Sequence, residues 1–329
     1  MRGHVLISSR STYSVLLGIF FALFISALPW EALRGSTFPD LLNYIKKIED
    51  IRLYGFFFDQ QISSPINYLT HEYLWFCISY LVAISDVDPR LALALLSSFC
   101  AYAYITYLYD RTKSVYICLM LANPIAVTLL ASQIRGAVAM AIVLLVARKS
   151  NKHWHIVVAL LVVSFIHLAM AAVLGIAVAA YYISTRNIRT SVQKCVLALL
   201  VGLVIGGMLG LFATDLLSMM GDRRGGGYQI TRSFLYISFW IAWGVLLLVG
   251  VSRDRPVDTE YLFSIIICIA AVTAGVMGLY SFRFVALVLP VLISCVVGLD
   301  PTMRRIAIVA FSFYVVLLYY YYIFSKIQL

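Results

Sequence analysis

The chain has 329 residues, 63% of them hydrophobic and 12% charged, and its 25 lysines and arginines outnumber 15 aspartates and glutamates for a net charge of +10. Soluble domains are roughly 45–50% apolar and about 25% charged, and a water-soluble fold of this size could not hide so much apolar surface. Soluble enzymes, DNA-binding domains and disordered chains are therefore excluded and no nucleic-acid partner is expected. The composition predicts an all-α, polytopic integral membrane protein whose apolar excess faces membrane lipid.

Arg2 and Arg10 precede an apolar run from Tyr13 to Trp30. Ile25-Ser26-Ala27 is a poor cleavage site, so this run is expected to persist as a first span with its N-terminus in the cytoplasm. A helix crossing ~30 Å of hydrocarbon needs about 20 apolar residues. The candidate spans are 13–30, 68–84, 91–109, 115–131, 134–147, 156–183, 195–213, 233–251, 261–279, 283–299 and 306–325, about 10–11 in all. One transmembrane domain is expected over 1–329, with two long connections, 31–67 and 214–232, on the outer side. Trp30, Tyr181, Tyr182 and Tyr319 to Tyr322 lie near span ends, as an interfacial aromatic belt would.

The positive-inside rule orients the second half: Arg186, Arg189 and Lys194 inside, Arg253 and Arg255 inside, Arg283 outside, Arg304 and Arg305 inside. Arg148, Lys149 and Lys152 also read as cytoplasmic. With both flanks on one side, 156–183 is expected to be a hairpin of two short helices with His167 near its outer apex. Counting from the N-terminus requires one further irregularity between 68 and 147.

Ionisable side chains in or against the bilayer cost several kcal/mol and tend to mark function. Arg34-Gly35-Ser36-Thr37-Phe38-Pro39-Asp40, followed by Tyr44, lies just beyond the first span; its plain reading is a surface loop. Arg135, in Gln133-Ile134-Arg135-Gly136, has no acid within a turn, and is either a snorkelling interfacial arginine or a guanidinium aimed at a phosphate. His167 stands in an apolar stretch, as a satisfied hydrogen-bonding residue or as a base. Gly221-Asp222-Arg223-Arg224-Gly225-Gly226-Gly227 and Tyr280-Ser281-Phe282-Arg283 put arginines on the outer face, where a mobile loop or an anion site would both account for them. The glycine run does not match GxxxxGK[ST] and so is no nucleotide loop. The six cysteines all fall in apolar runs without a CxxC pair, so neither a disulfide framework nor a zinc site is expected.

Arginines, a histidine and a carboxylate on one side, without a nucleotide motif or metal cluster, suit a donor that is already activated and carries a diphosphate leaving group. Arginines stabilise charge on that group, and a carboxylate or histidine takes the proton of an attacking hydroxyl. No cofactor and no metal are expected.

Several short segments, in order along the chain, resemble the EpsG family of polysaccharide-assembly membrane proteins, itself similar to the Wzy-type O-antigen and capsule polymerases. They are Arg34-Gly35-Ser36-Thr37-Phe38 with Asp40 and Tyr44; His71-Glu72-Tyr73-Leu74-Trp75; Ser132-Gln133-Ile134-Arg135 with Ala137 and Ala139; Phe165-Ile166-His167; and Phe282-Arg283-Phe284. Pro39 before the aspartate, Gly136 after the arginine and Leu168-Ala169 after the histidine depart from the family pattern. The resemblance implies a multi-pass protein of the bacterial inner membrane with a GT-C-like fold. It implies a polymerase joining undecaprenyl-diphosphate-linked oligosaccharide units at the periplasmic face, with a chain-length regulator as a further partner. Arg135 and Arg283 are the first candidates for holding the diphosphate, with Arg34, Arg223, Arg224 and Tyr44 assisting. Asp40 is the first candidate for general base, with Glu72 and His167 as rivals. A flippase or transporter of lipid-linked oligosaccharide, and a non-catalytic assembly subunit, are the alternative classes.

Overall fold

The computed structural model describes residues 3–55, 72–150, 152–188, 190–219, 234–251, 257–278 and 282–324. These are helical almost throughout, with an isolated antiparallel bridge between Val251 and Leu299. The chain divides into two compact units, Met1–Ala172 with Val315–Leu329, and Val173–Tyr314.

In the first unit the helices are α1 (Gly3–Ala27), α2 (Trp30–Arg34), α3 (Pro39–Tyr54), α4 (Tyr73–Ile84), α5 (Pro89–Thr112), α6 (Val115–Leu119), α7 (Pro124–Ala131), α8 (Ile134–Lys149) and α9 (His153–Val163). Helix α5 is the hub, packed against α1 and α8, with Leu93, Cys100, Tyr104 and Leu108 buried. Asp88 starts it by accepting the Leu91 N–H at 3.0 Å, and Pro89 occupies the first helical position, where no amide donor is needed. The approach of α1 is close: a Cβ at Gly18 would sit 2.5 Å from the Tyr102 ring.

Residues 31–67 were expected to be a loop, and their described part is largely helical. Gly35 ends α2 with φ of 70°, and Pro39 opens the amphipathic helix α3. The expected span 115–131 is broken. Asn123 precedes Pro124, which disfavours helical backbone at the residue before it, and the Asn123 side chain instead accepts the Ala126 N–H at 3.0 Å to start α7. A second break at Ser132-Gln133 turns α8 by 101° from α7. These breaks fall where the span count from the N-terminus required an irregularity. The run 156–183 is interrupted as well: α9 ends at Val163, whose carbonyl accepts the Ile166 and His167 N–H groups, and α10 (Ala169–Thr185) begins six residues on.

The second unit contains most of α10, then α11 (Ser191–Met219), α12 (Phe234–Val249), α13 (Thr259–Val276), α14 (Phe282–Ser294) with a 3-10 turn at Cys295–Gly298, and the first part of α15 (Pro301–Phe324). Leu262, Ile265, Ile266 and Cys268 of α13 are buried, and Asp258 caps the helix by accepting the Tyr261 N–H at 2.8 Å. Phe239 of α12 stacks on Tyr314 of α15 with ring centroids 3.6 Å apart, beside Trp240, Trp243 and Phe311.

Among the described residues, four helices are long and apolar enough to cross a bilayer: Pro89–Thr112, Ser191–Phe212, Thr259–Val276 and Pro301–Ile323. A fifth crossing results if the bent pair α7 and α8 counts as one. The remaining described candidates are shorter apolar helices, among them Tyr73–Ile84, His153–Val163 and Ala169–Thr185. Leu200, Val204, Met208 and Leu211 line one exposed face of α11, an arrangement suited to lipid and not to water.

The opposite face of α11 carries Gly202, Gly206 and Gly210, spaced by four and set against α13. Small residues at this spacing let two backbones touch, which is how helices associate in a solvent as apolar as their own side chains. A Cβ at Gly206 would lie 2.6 Å from the Ala270 carbonyl oxygen, whereas Gly207 faces open space. Gly206→Ala should therefore lower the thermal midpoint of the purified protein, by about 1–3 kcal/mol of overpacking. Gly207→Ala should leave it unchanged or raise it slightly by helix propensity. Equal midpoints for the two variants would contradict the α11–α13 packing.

Candidate functional site

Tyr44, Lys47, Glu72, Arg135 and His167, up to 123 positions apart in sequence, meet in the first unit around one carboxylate. Glu72 sits immediately ahead of α4 in the left-handed region, with φ of 54° and ψ of 55°. A non-glycine residue there costs about 1–3 kcal/mol and persists only where its surroundings hold it. They do so on both sides. The Glu72 carbonyl accepts the Trp75 and Phe76 N–H groups at 2.9 and 3.1 Å, and the Phe165 carbonyl accepts the Leu74 N–H at 3.0 Å. The backbone of the α9–α10 break is thus bonded to the start of α4.

The side chain of Glu72 is 7% exposed and has both oxygens engaged. Oε2 accepts from Arg135 Nη1; Oε1 lies 2.8 Å from His167 Nδ1 and accepts the Leu168 N–H at 3.3 Å. Arg135 also donates from Nε to the Tyr44 hydroxyl at 3.3 Å, and its guanidinium lies 5.5 Å from the centre of the Tyr44 ring. Among the described residues, Arg135 Nη2 has no hydrogen-bond partner. Arg135 is the second residue of α8, where the helix dipole places partial positive charge. A cation at that end is disfavoured unless an anion stands in front of it, and Glu72 is that anion.

Helix α3 supplies the remaining wall. Asp40, Tyr44 and Lys47 follow one another at four and three residues, on one helical face. The Tyr44 ring meets Trp75 edge-on at 5.2 Å, and the Lys47 ammonium lies 5.3 Å from the Phe76 ring centre. At the other end Arg52 donates from Nε to the Ala83 carbonyl at 3.2 Å and from Nη2 to the Val87 carbonyl at 3.0 Å. Helix α3 therefore runs alongside α4 and is fixed to it at both ends.

Charges follow from this burial. Burial alone would raise the Glu72 carboxyl, but the His167 hydrogen bond, the Arg135 charge and the Leu168 N–H outweigh it and hold the group well below the ordinary carboxylate range. Burial pushes the Tyr44 phenol up despite the Arg135 charge, and the charge of Asp40 adds to the rise. Lys47 is lowered by burial and then by Arg135, with Glu72 opposing.

Of the residues singled out in the sequence, Tyr44, Glu72, Arg135 and His167 are in direct contact within this cluster, and Asp40 acts on Tyr44 and Arg135 through its charge. Arg34 is turned elsewhere, its guanidinium 5.3 Å from the Phe38 ring and 6.0 Å from the Tyr322 ring. Arg283 belongs to the second unit, in the first turn of α14. Arg223 and Arg224, with the glycine run beside them, lie outside the described residues, as does His71. Lys47 was missed, although its spacing from Asp40 and Tyr44 places it on their helical face. Among the described residues no three His, Cys, Asp or Glu side chains gather to hold a metal ion. No family model matches this chain, and neither a curated protein nor a solved structure matches it.

The cluster can present a guanidinium with a spare donor, a lysine, a helix N-terminus and an imidazole whose Nε2 is left for a ligand. Removing one partner of a buried ion pair strands the other. Glu72→Ala should therefore destabilise the protein by about 2 kcal/mol or more, whereas adding Arg135→Met to it should recover part of the loss. Thermal unfolding of both singles and the double checks this as a double-mutant cycle; additive losses would mean that the pair does not couple.

Proposed function

We propose that the chain is a polysaccharide repeat-unit polymerase similar to the EpsG family and the Wzy-type polymerases. In this reading it is a GT-C-like membrane glycosyltransferase that acts on undecaprenyl-diphosphate-linked oligosaccharide at the periplasmic face of the bacterial inner membrane. One observation carries the reading. Tyr44, Glu72, Arg135 and His167 come from four separate segments that resemble that family, and they converge on a single buried carboxylate.

Arg135 Nη2, Lys47 and the N-terminus of α8 bind the diphosphate of the growing chain, the guanidinium giving a charge-assisted bond from its one spare nitrogen. His167 donates from Nδ1 to Glu72, which leaves the Nε2 lone pair free, the arrangement by which a carboxylate orients an imidazole base. A hydroxyl at the non-reducing end of the incoming unit attacks the anomeric carbon of the growing chain, and its proton passes to His167 Nε2. The bond from that carbon to the diphosphate oxygen breaks, and undecaprenyl diphosphate leaves with the electron pair, stabilised by the cations around it. Glu72 has both oxygens occupied, so it positions His167 and does not take the proton. Asp40 tunes Tyr44 and Arg135 from the α3 face. Arg34, which faces the Phe38 and Tyr322 rings, is given no step in this chemistry.

The test is a surface-polysaccharide gel from a deletion strain complemented with wild type or variants. Wild type should restore a ladder of chain lengths. Arg135→Ala and His167→Ala should each leave acceptor bearing a single unit, for losses of about 10²–10³ from the arginine and about 10²–10⁴ from the base. An unchanged ladder in the deletion strain would overturn the polymerase reading, and loss of single units at the surface would favour a transporter. With fixed cations holding the leaving group, a chelator should leave polymer formation by the purified protein intact; inhibition would count against this mechanism.

A further inference from the structure

A second feature of the first unit is independent of this chemistry. Helices α4, α8 and α9 enclose an open groove of about 850 Å³ whose body is apolar, formed by side chains such as Ile78, Ile142, Val158 and Val162. Arg135, Glu72 and His167 do not line it; α8 contributes residues from Ile142 onward, at the far end of that helix from Arg135. One end of its lining is Leu74 and Ile166. The other is polar, with Lys149, Ser150, Trp154 and His155.

The polar mouth has the make-up of a site at the level of lipid head groups. Trp154 is 59% exposed there, and an exposed indole beside a lysine is the pairing that marks a membrane interface. Lys152 and His153 are exposed next to it. His155 is held by Ser150 Oγ and packs edge-on against Trp154 with ring centres 3.9 Å apart, so this corner is fixed. Among the described residues that line the groove there is no carboxylate. Asp110, in the same unit, is taken by Arg148 and by Lys113 at 3.5 Å. Among the described residues that line it, the mouth thus carries the positive charge of Lys149 above an apolar trough. The α9 wall from His155 to Val163 runs about 12 Å, enough for much of one acyl chain.

We infer that this groove is a binding site for an anionic glycerophospholipid, with one acyl chain lying between α4, α8 and α9 and the phosphate on Lys149. A two-chain lipid with a single phosphodiester charge matches one lysine and an apolar slot. A polyprenyl diphosphate would need the denser cation set around Arg135, which is not among the residues that line this groove.

The experiment uses the purified full chain in detergent, exchanged into palmitoyl-oleoyl phosphatidylglycerol or the phosphatidylcholine with the same chains, and native mass spectrometry counts retained lipid. Wild type should retain phosphatidylglycerol about fivefold over phosphatidylcholine, the size of one lysine's attraction to an anionic head group. Lys149→Ala should abolish that preference without moving the thermal midpoint, because the side chain is exposed. Val158→Trp, which fills the slot, should reduce retention of both lipids. Equal retention of the two lipids by wild type, or an unchanged preference in Lys149→Ala, would overturn the site. So would undecaprenyl phosphate displacing phosphatidylglycerol equally well from wild type and Lys149→Ala.

Discussion

The ion pair between Arg135 and Glu72 is the constraint around which the first unit is arranged. Each charge alone would be expensive where it sits: the carboxylate is buried, and the arginine stands at the positive end of a helix. Together they tie the N-terminus of α8 to the N-terminus of α4. Through His167 and Leu168, Glu72 also fixes the α9–α10 break. Two interruptions in apolar sequence, the α7–α8 bend and the α9–α10 break, are thus tied to the start of α4 by one side chain, and the left-handed backbone at Glu72 is the strain that this pinning sustains.

Broken helices are unusual in a bilayer because freed amides and carbonyls have no water to turn to. Here each break brings its own partners. Asn123 covers the start of α7, the Thr128 carbonyl accepts the Ser132 and Gln133 N–H groups at the bend, and the Val163 and Phe165 carbonyls are used at the third break. The polar cluster is the place where such backbone can exist, since the same side chains that bind one another also cover it. In the second unit Arg304 Nη2 donates to the Val297 and Leu299 carbonyls after α14, at 2.7 and 3.3 Å, and close backbone contact along a glycine stripe joins α11 to α13.

The class of fold was legible in the sequence because composition and hydropathy leave few alternatives. The break at 164–168 was legible too, since lysines and arginines flank both ends of 156–183 and a straight crossing would put one set on the wrong side. The bend at Ser132-Gln133 was not. An apolar helix and a bent pair of apolar helices have the same hydropathy, and the charge count required an irregularity somewhere between 68 and 147 without placing it. At the site, Arg135 and His167 stood out as ionisable groups in apolar surroundings and Glu72 entered only through the family resemblance, but nothing local said that they touch, because the pairing is tertiary. Lys47 went unnoticed for a related reason. On an amphipathic helix with other lysines nearby, its position over Phe76 depends on where α4 packs and not on its own sequence neighbours.

The double attachment of α3 has a mechanical consequence. Tyr44 and Lys47 hold it to the start of α4, and Arg52 holds it to the carbonyls at the end, so the anchors at Tyr44 and Arg52 are about 12 Å apart along the axis. A helix fastened at one point can pivot; fastened at two, it can only translate with its partner. Asp40, Tyr44 and Lys47 are therefore presented to Arg135 at a fixed angle by a two-helix plate. Any ligand that displaces them must carry α4, and Glu72 with it, as one body.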